Sequence, residues 1–161
     1  MRKTKQQLRD EIDSDNQSAQ RCSQAAQDAQ NTVDTLTGWI NGANESINYA
    51  RNFKNGALKN LKDQNKGIMT LLKSLGDDAV KGIGDVDACS GATNISNGNK
   101  GTLDYVSSQC DSIITRLQRQ VDAWSSACTD AQNTVDSNNN AARAYSQAAS
   151  SAQKQWSRMK D

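Results

Sequence analysis

Proline and histidine are both absent from this chain of 161 residues. Without proline, no position forces a break in a helical backbone, so long uninterrupted helices are allowed. Without histidine, the chain lacks the commonest general base, the side chain that titrates near neutral pH and the commonest metal ligand. No phosphate-binding loop, nucleophile elbow or paired-histidine metal helix occurs either. The sequence therefore predicts a protein that is not an enzyme and that holds no cofactor or metal.

Aromatic residues and net charge are also scarce. Aromatic residues make up 4% of the chain and hydrophobic residues 35%, which is too little for a thick core. The 19 basic and 18 acidic residues leave a net charge of +1, so no broad field attracts nucleic acid. No apolar run is long enough for a signal peptide or a membrane span, so we expect either a cytosolic chain or a mature secreted form. The length predicts a single domain over residues 1–161.

What the sequence does contain is apolar residues at alternating steps of three and four. This spacing is typical of helices that pack side by side along a narrow seam. It predicts an all-α fold, an elongated antiparallel helical bundle with long heptad-patterned N- and C-terminal helices over about 4–54 and 102–160 and a shorter middle helix over 57–75. The predicted seam residues are Leu8, Ile12, Ala19, Cys22, Ala26, Ala29, Val33, Leu36, Ile40, Ala43, Ile47 and Ala50, then Ala57, Leu61, Ile68, Leu72 and Leu75, then Val106, Cys110, Ile114, Leu117, Val121, Trp124, Cys128, Ala131, Val135, Ala142, Tyr145, Ala149, Ala152, Trp156 and Met159.

Glycine, aspartate, asparagine and serine are concentrated in residues 77–101, which predicts one long loop. Gly76 is placed to end the middle helix, and Thr102 to cap the last one. Within the long helices, Gly38–Gly42 and Ser137–Asn140 are the expected sites of a bend or break. We favour a bend over a turn at Gly38–Gly42 because the apolar seam continues through it.

The four cysteines, Cys22, Cys89, Cys110 and Cys128, are widely spaced and include no C-x-x-C pair. An even number without metal-binding spacing predicts two disulfides, and with them a secreted, extracellular protein. Because Cys22 and Cys128 both fall on seam positions, we predict a bridge between them, with Cys89 closing the loop onto Cys110. Two other pairings remain open, and the alternative is four reduced thiols in the cytosol.

Three residues and one segment are candidate surface sites. Trp39 lies beside the seam between two glycines, which makes it a candidate contact with a partner, and a core anchor is the alternative. Asn44 and Asn94 begin N-x-S sequences that accept glycans in secreted eukaryotic proteins, and Asn94 in the predicted loop is the better acceptor. Gly67–Leu75 is the most apolar segment and has the amphipathic character of membrane-active peptides. We expect it to form a buried helix.

Balanced charge, missing catalytic motifs and predicted disulfides favour a secreted protein that binds a protein partner through a wide polar face. In its cysteines and helical character the chain resembles small cysteine-stapled helical proteins of insect saliva, gut or haemolymph. Some of those proteins bind host defence factors, so the resemblance implies an inhibitor or modulator of host defence. Two alternatives are an amphipathic bundle that binds lipid or membrane surfaces and a structural coiled coil that assembles with itself. A monomer or weak homo-oligomer is expected.

Overall fold

The computed structural model describes residues 3–83 and 86–159, and all but a few terminal residues of these ranges are helical. No strand occurs within these two ranges, so the prediction of an all-α fold is confirmed. None of the helices described has a segment apolar enough to cross a bilayer. The elements in chain order are α1 (Lys5–Phe53), a π-helical turn (Lys54–Leu58, here called the π turn), α2 (Lys59–Ile83) and α3 (Val86–Arg158).

The predicted loop at residues 77–101 is wrong. Helix α2 continues to Ile83 and α3 begins at Val86; residues 84 and 85 lie outside the described part of the chain. No proline interrupts this segment, and a glycine inside a helix costs only about 1 kcal/mol relative to alanine, so composition alone does not forbid helix. Thr102, predicted to cap the last helix, lies inside α3, where its Oγ1 donates a hydrogen bond to the carbonyl oxygen of Gly98 at 3.1 Å.

The two long helices are not broken at the predicted sites. Helix α1 continues through Gly38–Gly42, and α3 continues through Ser137–Asn140. In the second segment, Asn138 donates a hydrogen bond from Nδ2 to the carbonyl oxygen of Thr134 at 2.9 Å. The asparagine side chain therefore bonds to the preceding turn of the helix instead of competing with the helical backbone.

The chain forms two compact units, and each contains parts of the first and last helices. Unit 1 consists of Met1–Ile40 and Asp122–Asp161, and unit 2 is Asn41–Val121. Unit 1 therefore holds the beginning of α1 and the end of α3. Unit 2 holds the end of α1, the π turn, α2 and the beginning of α3.

In unit 1 the two helical segments run antiparallel. The Lys5 ammonium lies 5.8 Å from the ring centroid of Trp156, and the ring centroids of Trp39 and Trp124 are 5.5 Å apart. The order of these contacts is reversed between the two segments, as antiparallel pairing requires. The core between them is thin and rich in alanine, which lets the backbones approach closely. Its buried residues are Leu8, Ala19, Ala26, Leu36, Val135, Ala142, Ala149 and Ala152.

In unit 2 the run from residue 41 to 83 packs antiparallel to the beginning of α3. Lys54 donates from Nζ to both carboxylate oxygens of Asp111, at 2.6 and 2.7 Å, and Lys62 Nζ lies 2.9 Å from Asp104 Oδ1. The buried residues here are larger than in unit 1, and Ile47 and Leu58 have the least exposed side chains. They are joined by Ala43, Cys110, Val121 and the polar side chain of Asn65.

The predicted seam is confirmed on α1 and on most of α3 but is wrong on α2. All predicted seam residues of α1 are buried or half-buried, and on α3 only Tyr145 and Trp156 are substantially exposed. The structure instead buries Leu58, the last residue of the π turn, and buries or half-buries Lys62, Asn65, Met69 and Leu72 on α2. Of these, only Leu72 was predicted to face inward.

The π turn explains why α2 presents a different side. Before the π turn, the buried and half-buried residues follow a heptad spacing. From Ala50 onward, three such residues, Lys54, Leu58 and Lys62, follow one another at steps of four. A π turn holds one more residue than an α turn, and one extra residue rotates everything after it by about 100°. The side that continues the seam of α1, which carries Leu61 and Ile68, is therefore turned away from α3.

Candidate functional site

The predicted disulfide between Cys22 and Cys128 is not formed, and both sulfurs are free thiols. The Sγ atom of Cys128 lies 3.9 Å from Oγ1 of Thr37 on the facing helix. Cys22 precedes Thr37 by fifteen residues, which is about 22 Å along the helix at 1.5 Å per residue. A disulfide requires Cα atoms less than about 7 Å apart. Both cysteines lie on the seam as predicted, but they are far apart along the axis of the helix pair.

The predicted bridge between Cys89 and Cys110 is also wrong. Both residues belong to the same helix, α3, and twenty-one residues separate them, which is about 32 Å along its axis. That distance excludes a bridge within one straight helix. Cys110 is a buried free thiol in unit 2, and the side chain of Cys89 lies outside the described part of the chain. The structure thus shows no disulfide among its described cysteines.

The three predicted surface residues are all exposed. Trp39 leaves 53% of its surface in solvent while its ring packs at a tilt of 50° against Trp124. Asn44 lies on the exposed side of α1. Asn94 is exposed as well, but it lies inside α3 and not in a loop. Their roles in partner contact and glycosylation stay predictions.

Helix α2 carries a row of exposed apolar side chains. Leu61, Ile68, Leu71 and Leu75, here called the α2 stripe, are 48%, 52%, 72% and 65% exposed. Their spacing of seven, three and four residues places them on one side of the helix. The expectation that Gly67–Leu75 would be a buried helix is therefore wrong for these side chains. The extra residue of the π turn rotates α2 so that the side carrying Asn65, Met69 and Leu72 faces the core instead.

Two residues of α3 extend this apolar surface across unit 2. A groove of about 300 Å³ separates the α2 stripe from α3, and its lining includes Leu61 and Ile68 on one side and Thr102 on the other. Ile95 lies seven residues before Thr102 and Ile113 eleven residues after it, so both project from the same side of α3. They are 66% and 50% exposed. The α2 stripe together with Ile95 and Ile113 is here called the apolar face.

The other side of the same helix pair is charged. A second groove of about 340 Å³ shares Asn65 and Leu103 with the first but is lined by Lys62, Asp63, Lys66, Met69, Lys100 and Asp104. Hydrogen bonds from Lys100 and from Lys62 lower the pKa of Asp104 from 3.8 to about 2. The same bond to Asp104 raises the pKa of Lys100. Unit 2 is thus amphipathic as a whole, with an apolar face and a charged groove on opposite sides.

Unit 1 offers a polar hollow instead. Its volume is about 620 Å³, and it is open to solvent between α1 and α3. No group of His, Cys, Asp and Glu side chains in the described ranges is arranged to hold a metal ion. The hollow therefore presents mainly the hydrogen-bonding groups of amide, hydroxyl and carboxylate side chains. Its lining residues are Asp13, Asn16, Gln17, Ala19, Gln20, Ser23 and Ser146.

Sequence reasoning missed the apolar face, although a signal for it was present. The run from the π turn through α2 carries two apolar series that are offset by one position, one through Leu58 and Leu72 and the other through Leu61, Ile68 and Leu75. A helix with two such series can bury only one of them against a single neighbour. The Asn55–Gly56 pair before α2 marks the place where the extra residue is taken up.

Comparisons of the chain with protein-family models, with curated proteins and with solved structures each found no match. A functional proposal for this chain therefore depends on its own geometry and chemistry.

Proposed function

We propose that this chain is a helical protein without enzymatic activity that binds another protein through the apolar face of unit 2. The observation that supports this proposal is the α2 stripe, in which four large aliphatic side chains are each about half or more exposed. On soluble proteins, contiguous apolar surfaces of this extent mark contact sites for partners. The apolar face replaces the wide polar face expected from the sequence, because buried apolar anchors supply most of the energy of protein interfaces.

The spacing of the α2 stripe favours a helical partner. Leu61, Ile68, Leu71 and Leu75 occupy the positions of a heptad seam, which accepts side chains of a neighbouring helix. The residues beside the stripe, Asn60, Gly67 and Ser74, are uncharged and mostly small. A second helix can therefore approach closely without bringing a charge out of water.

The placement of the lysines favours a protein over a lipid surface. An anionic membrane attracts amphipathic helices whose basic side chains lie near the edge of the apolar side. In α2, Lys59, Lys66 and Lys73 lie about 140–180° around the helix from Ile68, at 100° per residue. They would point away from a bilayer that contacted the α2 stripe. Vesicle sedimentation that failed to recover the protein would agree with this assignment.

Photo-cross-linking tests the proposed function in the full chain. Benzoylphenylalanine replaces Leu71 on the apolar face or, as a matched control, Lys66 on the opposite side of the same helix. In the fluid or extract from which the protein is isolated, we expect a cross-linked protein from position 71 only, and we expect Ile68→Ser in the same chain to remove it. Equal cross-linking at both positions, or none at either, would contradict the proposal.

We also propose secretion and a role as inhibitor or modulator of host defence, both from the sequence. Their main support was two disulfides, and the free thiols of Cys22, Cys110 and Cys128 weaken that support. Alkylation of the protein from its native source, without reductant, tests the compartment. Complete labelling would place the protein in a reducing environment and would remove the basis for the host-defence proposal.

A further inference from the structure

We propose that the protein that covers the apolar face is a second copy of this chain, related to the first by a two-fold axis parallel to the helices of unit 2. This inference rests on the proposed function, because it takes the apolar face to be a protein contact. In such a pair α2 of each copy lies on α3 of the other, and the two helix pairs form an antiparallel four-helix arrangement.

The two helices that share the apolar face differ in the size of their exposed residues. Helix α2 supplies the bulky side chains of its stripe, whereas α3 carries Gly91 and Gly98 on either side of Ile95. Apart from the adjoining residues and the backbone of the same helical turns, a Cβ atom at either glycine would have no atom within 4 Å. No close approach inside the chain therefore accounts for these glycines, although glycine weakens a helix relative to alanine. They leave two recesses in the surface of α3.

The bulky residues of α2 and the recesses of α3 lie at matching levels along the helix pair. The ion pair of Lys62 with Asp104 sets the level of α2 against α3. Six residues further along α2 and six residues back along α3, Ile68 is level with Gly98. Leu75 lies seven residues after Ile68, and Gly91 lies seven residues before Gly98, so Leu75 is level with Gly91. A two-fold axis parallel to the helices preserves these levels, so Ile68 and Leu75 of one copy meet the recesses at Gly98 and Gly91 of the other.

The same symmetry brings the remaining apolar side chains together. Leu71 is level with Ile95, and these two residues are 72% and 66% exposed in the single chain. In the pair each Leu71 packs on Ile95 of the other copy, once on each side of the axis. A two-fold interface requires this kind of self-complementarity. If Leu71 of one copy contacts Ile95 of the other, then Ile95 of the first copy contacts Leu71 of the second.

The available area suits a reversible dimer. The proposed contacts run from Gly91 to Ile113, which are twenty-two residue steps and about 33 Å apart along the helix. Two helices of about 10 Å each give a width of about 20 Å, so the footprint is about 660 Å². Stable interfaces bury about 800 Å² on each partner. The charged side chains around Asp104 are on the opposite side of unit 2, so two copies can associate without burying a charge.

Sedimentation velocity of the full chain over about 1–200 µM tests the inference. We expect a concentration-dependent dimer whose dissociation constant rises at least about tenfold with Gly98→Gln, because the new side chain fills the recess that receives Ile68. The matched control is Gly38→Gln, at an open helical glycine in unit 1, which should leave association unchanged. Both substitutions replace glycine with a better helix former, so loss of folding does not explain a weaker dimer.

Three results would overturn the inference. A chain that stays monomeric at about 200 µM has no second-copy contact, and the cross-linking experiment at position 71 then decides separately whether another protein occupies the apolar face. A dimer that Gly98→Gln and Ile68→Ser both leave unchanged uses another surface. Binding to vesicles of phosphatidylcholine and phosphatidylglycerol that Ile68→Ser abolishes would assign the face to lipid and would contradict the proposed function as well.

Discussion

Asp104 shows how single residues hold α2 in its observed orientation. It accepts hydrogen bonds from Lys100 on its own helix, at 2.8 Å, and is paired with Lys62 of α2. A second lysine, Lys54 in the π turn, binds Asp111. The contact of Lys62 requires the orientation of α2 that follows the π turn, whereas Lys54 lies at the start of that turn and continues the seam of α1. Both ion pairs are solvent-exposed, so each contributes little to overall stability. Their main effect is on which side of the helical run faces α3.

We expect the carboxyl group of Asp104 to titrate with a pKa of about 2, below its usual 3.8, because two ammonium groups stabilise the carboxylate. Since the folded-state pKa is lowered, the stabilisation is present above pH 3.8 and is lost as the pH falls to about 2. NMR titration of the side-chain carboxyl measures this directly. In Lys62→Met and Lys100→Met the pKa should rise toward 3.8, and an unshifted value in the parent chain would contradict the geometry.

The free cysteines lead to a prediction about thiol reactivity. Alkylation of the folded chain without reductant should label the half-buried Cys22 and Cys128 faster than the buried Cys110, because a reagent reaches exposed thiols first. Cys128→Ser should leave the free energy of unfolding nearly unchanged, since no covalent bond is lost. Intact-mass measurement counts the labels. Cysteines that react only after reduction would show that disulfides form after all.

At the scale of elements, the π turn should tolerate the loss of one residue. Deleting Gly56 restores ordinary α spacing and leaves Leu58 and the half-buried Leu72 facing α3, so we expect the urea midpoint to be maintained or raised. Deleting Gly67, also a helical glycine, rotates the rest of α2 by about 100° and would turn Lys73 toward α3. Circular dichroism should show a marked loss of stability for this control alone. An equal loss in both deletions would mean that the extra residue is not accommodated at the π turn.

Truncation of one leucine on each side of the helical run from the π turn through α2 distinguishes its buried side from its exposed side. Leu58 is 2% exposed and Leu71 is 72% exposed. Leu58→Ala should lower the free energy of unfolding by about 2–5 kcal/mol, because it removes buried contacts and leaves a cavity. Leu71→Ala should change it by less than about 0.5 kcal/mol in the monomer. Urea denaturation at low protein concentration compares them, and similar losses would contradict the assigned orientation of α2.

The elements differ in how far the sequence could predict them. The seams of α1 and α3 follow from local spacing, because the positions of Leu36, Ile47 and Val135 repeat at steps that hold for any straight helix pair. The loop at 77–101 was mispredicted because composition is a weak guide where no proline forbids helix. The orientation of α2 depends on which residue of the chain is the extra one in the π turn, and no local spacing shows that. A contact between helices, that of Lys62 with Asp104, fits only the observed orientation.

The candidate site was harder to predict than the fold for the same reason. Trp39 was a surface candidate because it lies beside the seam between two glycines, with a core anchor as the alternative, and it is 53% exposed. The apolar face depends on long-range packing, since Ile68 and Leu71 would lie in the core if α2 continued the heptad of α1 without the π turn. The cysteine pairing also failed at this level, because seam positions do not tell which residues of two facing helices lie at the same height.

At the scale of the whole molecule, the two units differ in the residues that they bury and expose. Unit 1 buries mainly alanine and leaves polar surface outside, which suits close helix pairing. Unit 2 buries larger residues yet exposes the α2 stripe. A partner that binds only the folded state stabilises it by mass action, so covering the apolar face would also stabilise the chain. We regard the exposed stripe as the feature on which the functional account depends.

Hydroxyl-radical footprinting of the intact chain tests that feature most directly, with Leu71 and Leu72 as adjacent side chains of equal intrinsic reactivity. At a concentration where the chain is monomeric, Leu71, at 72% exposure, should be oxidised several times faster than the half-buried Leu72. At high concentration the rate at Leu71 should fall as a partner copy covers it. If Leu72 is oxidised faster than Leu71, α2 faces the other way, and the apolar face and both proposals built on it are wrong.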